Sequence, residues 1–240
     1  MTPLSRIPFL VCLGCLSLGV AISQPLPAES PAGLEISLVG LGELPPTVKI
    51  ADGTRVLEVA VPSSGRGDPF FYRARTPLVF FREVADAEGK VQRVPIATVE
   101  CSPAWEKALV VLVANGRTAG DLVFTAQAFD DGSEGFPVGH ARLFNFFRST
   151  LAVNSGGGLE QVPAFQSRLV ALSGSRARVW MKLAVQRPEN WEVLPTFVTQ
   201  VAPNTRLLIF AYEAPGDGGA MERTYRSIAE VVADEIAAAH

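Results

Sequence analysis

The chain has 240 residues, 48% hydrophobic and 19% charged, which is enough apolar material for a sizeable core and rules out a disordered polar tract. Its formal net charge is −3, and the basic residues are scattered apart from Arg73/Arg75 and Arg176/Arg178. No basic face suited to phosphate is evident, so nucleic acid is not an expected partner.

The first residues read as an export signal. Arg6 is the lone basic residue ahead of an apolar run over residues 7–22, which has Pro8 inside it. Ala21-Ile22-Ser23 fits a small-x-small cleavage pattern, making residues 1–23 a signal peptide and Gln24 the new N-terminus. The run is short for a stable span, so no membrane span is expected after cleavage. A lipoprotein acylated at Cys15 is the variant to weigh, because Gly14 precedes it, although Cys12 and Leu13 match poorly upstream. The expected address is periplasm, cell surface or medium. Cleavage would leave Cys101 as the single cysteine, so no intramolecular disulfide is expected and the core must supply stability. Alternation in PIATVEC places that thiol on a strand, buried and inert.

After a Pro-rich lead-in over residues 24–33, β signals follow in order. Residues 34–39 and 55–61 are rich in β-branched side chains, and 62–69 (PSSGRGDP) form a turn-rich loop. FFY and LVFF flank Pro77, Ala87 to Lys90 make a turn, and VQRVPIATVEC alternates again. KALVVLVA, residues 107–114, is nearly all apolar, as for a strand buried on both faces. Asn115-Gly116 signals a hairpin into LVFTAQAF. The second half continues with ARLFNFF, TLAVNS, a glycine turn at 156–158, SRLVALS, ARVWMKLAVQ, WEVLPTFVTQVA and TRLLIFAYEA. At the C-terminus a strand over 222–229 followed by a short helix to residue 238 is expected.

The halves resemble each other. Superposing residues 78–103 on 178–203 without a gap sets Phe80 over Trp180, Arg82 over Lys182, Pro95 over Pro195 and Pro103 over Pro203. With one residue fewer between them, KALVVL falls on RLLIFA and Leu109 on Leu208. An internal duplication is one reading; the general likeness of β-strands is the other. The expected fold is therefore all-β, an immunoglobulin-like β-sandwich of one or two units, with residues 34–134 as unit 1 and 135–240 as unit 2, able to pack as one domain.

Chemistry is sparse. Asp130, Asp131 and Glu134 in DDGSEG are weak candidates for calcium, because hard cations want oxygen ligands from a tight loop. A solvated turn explains the same residues, and the alternation of an EF-hand loop is absent. The two histidines, His140 and His240, complete no zinc set and no serine triad, and no Gly-x-Ser-x-Gly elbow occurs. Neither cofactor nor catalytic residue is assigned, and an enzyme is the less favoured reading, with a carboxylate-pair hydrolase as its form. Aromatics give the best binding signal. Trp105 and Trp191 lie beside charged or turn residues and are expected to be exposed, as a sugar-stacking pair would be. Phe80 and Trp180 are expected in the core.

Phe136-Pro137-x-Gly139, with a β-run reaching Asn145, resembles a group of secreted bacterial β-rich proteins with a central FPxG…N segment. There a strand like KALVVLV precedes the segment and one like TRLLIFAY closes the chain; the resemblance spans residues 56–213. It implies an exported β protein and carries no activity, ligand or catalytic residue. The expectation is a non-enzymatic envelope or secreted protein, structural or binding a protein or glycan partner. A carbohydrate-binding module using exposed tryptophans is the alternative.

Overall fold

The computed structural model describes residues 33–74, 76–114, 124–156, 158–172, 178–202, 204–216 and 220–232. The expected signal peptide, the Asn115-Gly116 turn and the expected C-terminal helix beyond residue 232 lie outside them.

The described residues form strands only. The first half contributes β1 (Leu34–Leu41), β2 (Thr47–Asp52), β3 (Arg55–Ala60), β4 (Phe70–Tyr72), β5 (Leu78–Ala85), β6 (Val91–Val99), β7 (Lys107–Ala114) and β8 (Phe124–Asp130). The second contributes β9 (His140–Asn145), β10 (Leu151–Asn154), β11 (Leu159–Val162), β12 (Ser167–Ala171), β13 (Arg178–Gln186), β14 (Trp191–Val193), β15 (Phe197–Gln200), β16 (Thr205–Pro215) and β17 (Met221–Val231).

These strands make two sandwiches of the same topology. In the first, sheet β4-β1-β7-β8 faces sheet β3-β2-β5-β6. In the second, β12-β9-β16-β17 faces β11-β10-β13-β14, with β15 also paired to β13. Each sandwich has one parallel pair, β1 with β7 and β9 with β16, and the remaining pairs are antiparallel. The all-β sandwich class expected from the turn spacing is the class observed.

Strand periodicity explains how the two halves join. Ala108, Val110 and Leu112 of β7 point into the first core, while Leu109, Val111 and Val113 point the other way. In β16, Leu207, Ile209 and Ala211 enter the second core, and Leu208 and Phe210 face outward from it. The outward sets meet, with Val39, Leu41, Phe136, Phe144 and Phe146, in a third core between the sandwiches. The continuous apolar runs of β7 and β16 are thus buried on both faces. The described residues belong to one compact unit.

Three expectations need correction. The C-terminal strand runs on to Val231, in antiparallel register with β16 along its whole length. Of the stretch expected to turn helical, Glu230 and Val231 are the end of this hairpin strand. Secondly, Trp180 is not a core residue: it is 40% exposed, whereas Phe80 is fully buried. Inward positions on β13 are Val179, Met181, Leu183 and Val185, so Met181 is the residue that faces as Phe80 does. The ungapped superposition was one residue out of phase there, and a one-residue slip in a strand exchanges its faces. Lastly, WEVLPTFVTQVA is two short strands, because Pro195 interrupts the ladder between Val193 and Phe197.

Candidate binding face

The acidic loop between the sandwiches is built as a joint. The Asp130 carboxylate accepts from the Gly132 amide at 2.9 Å, and a Cβ on Gly135 would lie 2.4 Å from Asp130 Cγ, so the chain closes tightly over this side chain. Asp131 is 4% exposed and its carboxylate accepts a hydrogen bond from Arg66. Arg66 and Arg206 both also reach Glu230, at 3.1 and 3.4 Å. Burial works against the Arg66 charge, but Asp131 and then Glu230 outweigh it and hold its pKa above the ordinary value. Glu134 is exposed on the turn. Among the described residues, no three His, Cys, Asp or Glu side chains gather as metal ligands would.

Of the FPxG…N residues, Phe136 serves this joint, while Gly139 and Asn145 fix turns within the second sandwich. Phe136 is buried in the middle core, with the Arg206 and Arg142 guanidinium groups 4.9 and 5.2 Å from its ring centroid. Gly139 takes a φ of 75°, a left-handed turn, and its amide donates to Thr205. Asn145 Nδ2 donates to the Ser149, Val162 and Pro163 carbonyls at 2.8 to 3.1 Å, and its Oδ1 accepts from the Phe147 amide. Arg226 of β17 crosses to the first sandwich, donating to the Gly40, Ser63 and Gly65 carbonyls. His140 sits at the start of β9, its Nδ1 3.1 Å from the Val138 carbonyl. Cys101 is buried, and desolvation followed by Glu100 pushes its thiol up to about 11, away from reactivity.

The two outer sheets present different faces to solvent, although their topology matches. On β3-β2-β5-β6 the outward positions pair with one another: Lys49 with Glu83 at 2.5 Å as an ion pair, and Glu58 accepting from the Thr47 hydroxyl at 3.0 Å. Arg93 lies over Phe81, 5.0 Å from its centroid. These contacts tie the polar side chains of that face to one another.

On the outer face of the second sandwich, exposed indoles stand where such contacts would be. Cross-strand register puts Trp180 opposite Val198, Ala184 between Ala152 and Val193, and Gln186 opposite Trp191. Trp180 and Trp191 are 40% and 42% exposed, and Val193, Val198 and Leu159 lie open on the same face. The remaining outward positions are Arg178, Lys182, Asn154, Gln161, Gln186 and Gln200. The Trp180 indole rests against the β10–β11 turn, where a Cβ on Gly156 would come 3.3 Å from its Cζ2. Bare indoles among amide side chains offer stacking surface and hydrogen-bond partners together.

Of the sequence-predicted pair, only Trp191 is on this face. Trp105 lies in the β6–β7 connection, half-buried against the first core. Trp180 takes the place expected for it. Its phase was readable: in RVWMKLAVQ it alternates with Arg178, Lys182 and Gln186, the polar set.

A concavity of 460 Å³ lies along the edge strands β3 and β4 of the first sandwich. Asp52, Glu58 and Asp68 alternate there with Arg55 and Arg73, beside Phe71, which is 58% exposed. Asp52 is buried and accepts from the Arg73 and Ala74 amides at 2.9 and 2.8 Å, a structural use of its carboxylate. Glu58 is held by Thr47.

The chain matches no family model and no curated protein.

Proposed function

We propose that the protein is an exported, non-enzymatic binding protein, made of two sandwiches related by internal duplication, that holds carbohydrate on the outer face of its second sandwich. Trp180 and Trp191 on one open sheet face carry this reading. The C–H faces of sugar rings stack on indoles, and sugar hydroxyls pair with amide side chains. The contrast with the first sandwich supports it, because there the corresponding face carries the Lys49–Glu83 ion pair and Arg93 laid over Phe81. Export rests on the apolar run and the small-x-small site of residues 7–23. The duplication rests on strand orders that correspond one for one, β4-β1-β7-β8 with β12-β9-β16-β17 and β3-β2-β5-β6 with β11-β10-β13-β14.

Affinity electrophoresis through gels containing soluble polysaccharides tests this. A retained wild type, weakened about tenfold by either Trp180→Ala or Trp191→Ala, is the expected result. Retention unchanged in both variants would move the site elsewhere.

The exposed Phe71 beside the β3 and β4 edges favours one second reading, in which an extended peptide adds to the first sandwich. Phe71→Ser would then weaken capture of the partner and leave polysaccharide retention intact.

A further inference from the structure

We infer that the ligand of this face is an anionic glycan several sugar rings long, lying along β13. The inference rests on the carbohydrate reading above and adds the ligand's length and charge.

Length follows from register. Trp191 sits opposite Gln186, six residues along β13 from Trp180. At a strand rise of about 3.3 Å per residue the two indoles are roughly 20 Å apart. One sugar ring cannot touch both, whereas a chain can rest on each with Ala184 as a flat floor between them. Trp180 is fixed against the Gly156 turn, so it is placed before any ligand arrives.

Charge follows from composition. Arg178 and Lys182 lie on this face, and none of the outward positions of β10, β11, β13, β14 and β15 is Asp or Glu. The molecule as a whole carries −3, so a face with only basic charge is a local departure from its background. Carboxylate or sulfate groups on the glycan complement it. An anionic lipid surface would also suit tryptophan and basic residues, but it would bury the amide side chains without hydrogen-bond partners.

The test compares the full chain on polygalacturonate, dextran sulfate, neutral hydroxyethyl cellulose and phosphatidylserine vesicles. Retention by a charged polysaccharide, weakened about tenfold in Arg178→Gln/Lys182→Gln and by about 0.5 M salt, is expected. Polygalacturonate or dextran sulfate as the stronger ligand identifies carboxylate or sulfate. Equal binding of the neutral chain, unaffected by that double variant but lost in Trp180→Ala, overturns the charge inference and leaves the carbohydrate reading standing. Binding to vesicles and to no polysaccharide overturns both. Both basic positions are exposed, so the variants should fold, and an unchanged thermal transition checks this.

Discussion

Asp131 and Phe136 show how single side chains hold the two sandwiches together. Phe136 fills the middle core while Arg142 and Arg206 approach its ring, and Arg206 also donates to the Asp131 and Phe136 carbonyls at 3.3 Å. Phe136→Ala removes that volume and should cost about 3–5 kcal/mol in denaturant unfolding, while Phe136→Leu should cost far less. Asp131→Asn leaves Arg66 without its closest carboxylate partner, and a loss of about 3 kcal/mol is expected. A loss below about 0.5 kcal/mol would show that the buried charge is not what fixes the joint. The sequence hinted at this joint, since Asp and Gly beside Phe-Pro-x-Gly mark a turn between β runs. It gave no sign of the charge partners, because Arg66, Arg206 and Glu230 are brought there by the fold from far along the chain.

At the scale of the strand, phase decides everything. KALVVLVA was legible as buried on both faces because every position after Lys107 is apolar. RVWMKLAVQ carried equally clear alternation, but aligning Phe80 with Trp180 hid it, and a residue exposed on the proposed binding face was assigned to the core. β2 and β11 were not legible. β2 follows Pro45-Pro46 and interleaves Lys49 and Asp52, and β11 spans only Leu159–Val162, with exposed side chains at two of four positions. Their pairing with β5 and β10, and not their own composition, makes them strands. The β10–β11 turn gives an element-scale prediction. Gly156 has a φ of 89° and a Cβ there would press on Trp180 at 3.3 Å, so Gly156→Ala should cost about 1–2 kcal/mol and shift Trp180 emission to the red. Unchanged emission would mean that the turn does not position the indole.

For the whole molecule, the shared middle core makes the sandwiches thermodynamically one body. Tryptophan fluorescence is sensitive to both, through Trp105 in the first and Trp180 and Trp191 in the second. Single-tryptophan variants should report coincident unfolding midpoints, and Phe210→Ala, which opens the middle core, should separate them. Midpoints already separate in the parent would show that the joint transmits no stability. The most direct measurement is a two-dimensional amide spectrum of the nitrogen-15 labelled chain, in which three tryptophans give three indole N–H signals. On titration with a charged oligosaccharide, the Trp180 and Trp191 indole signals should move together while that of Trp105 stays in place. Movement of Trp105 alone, or of none while the glycan binds, would contradict the assignment of the binding face.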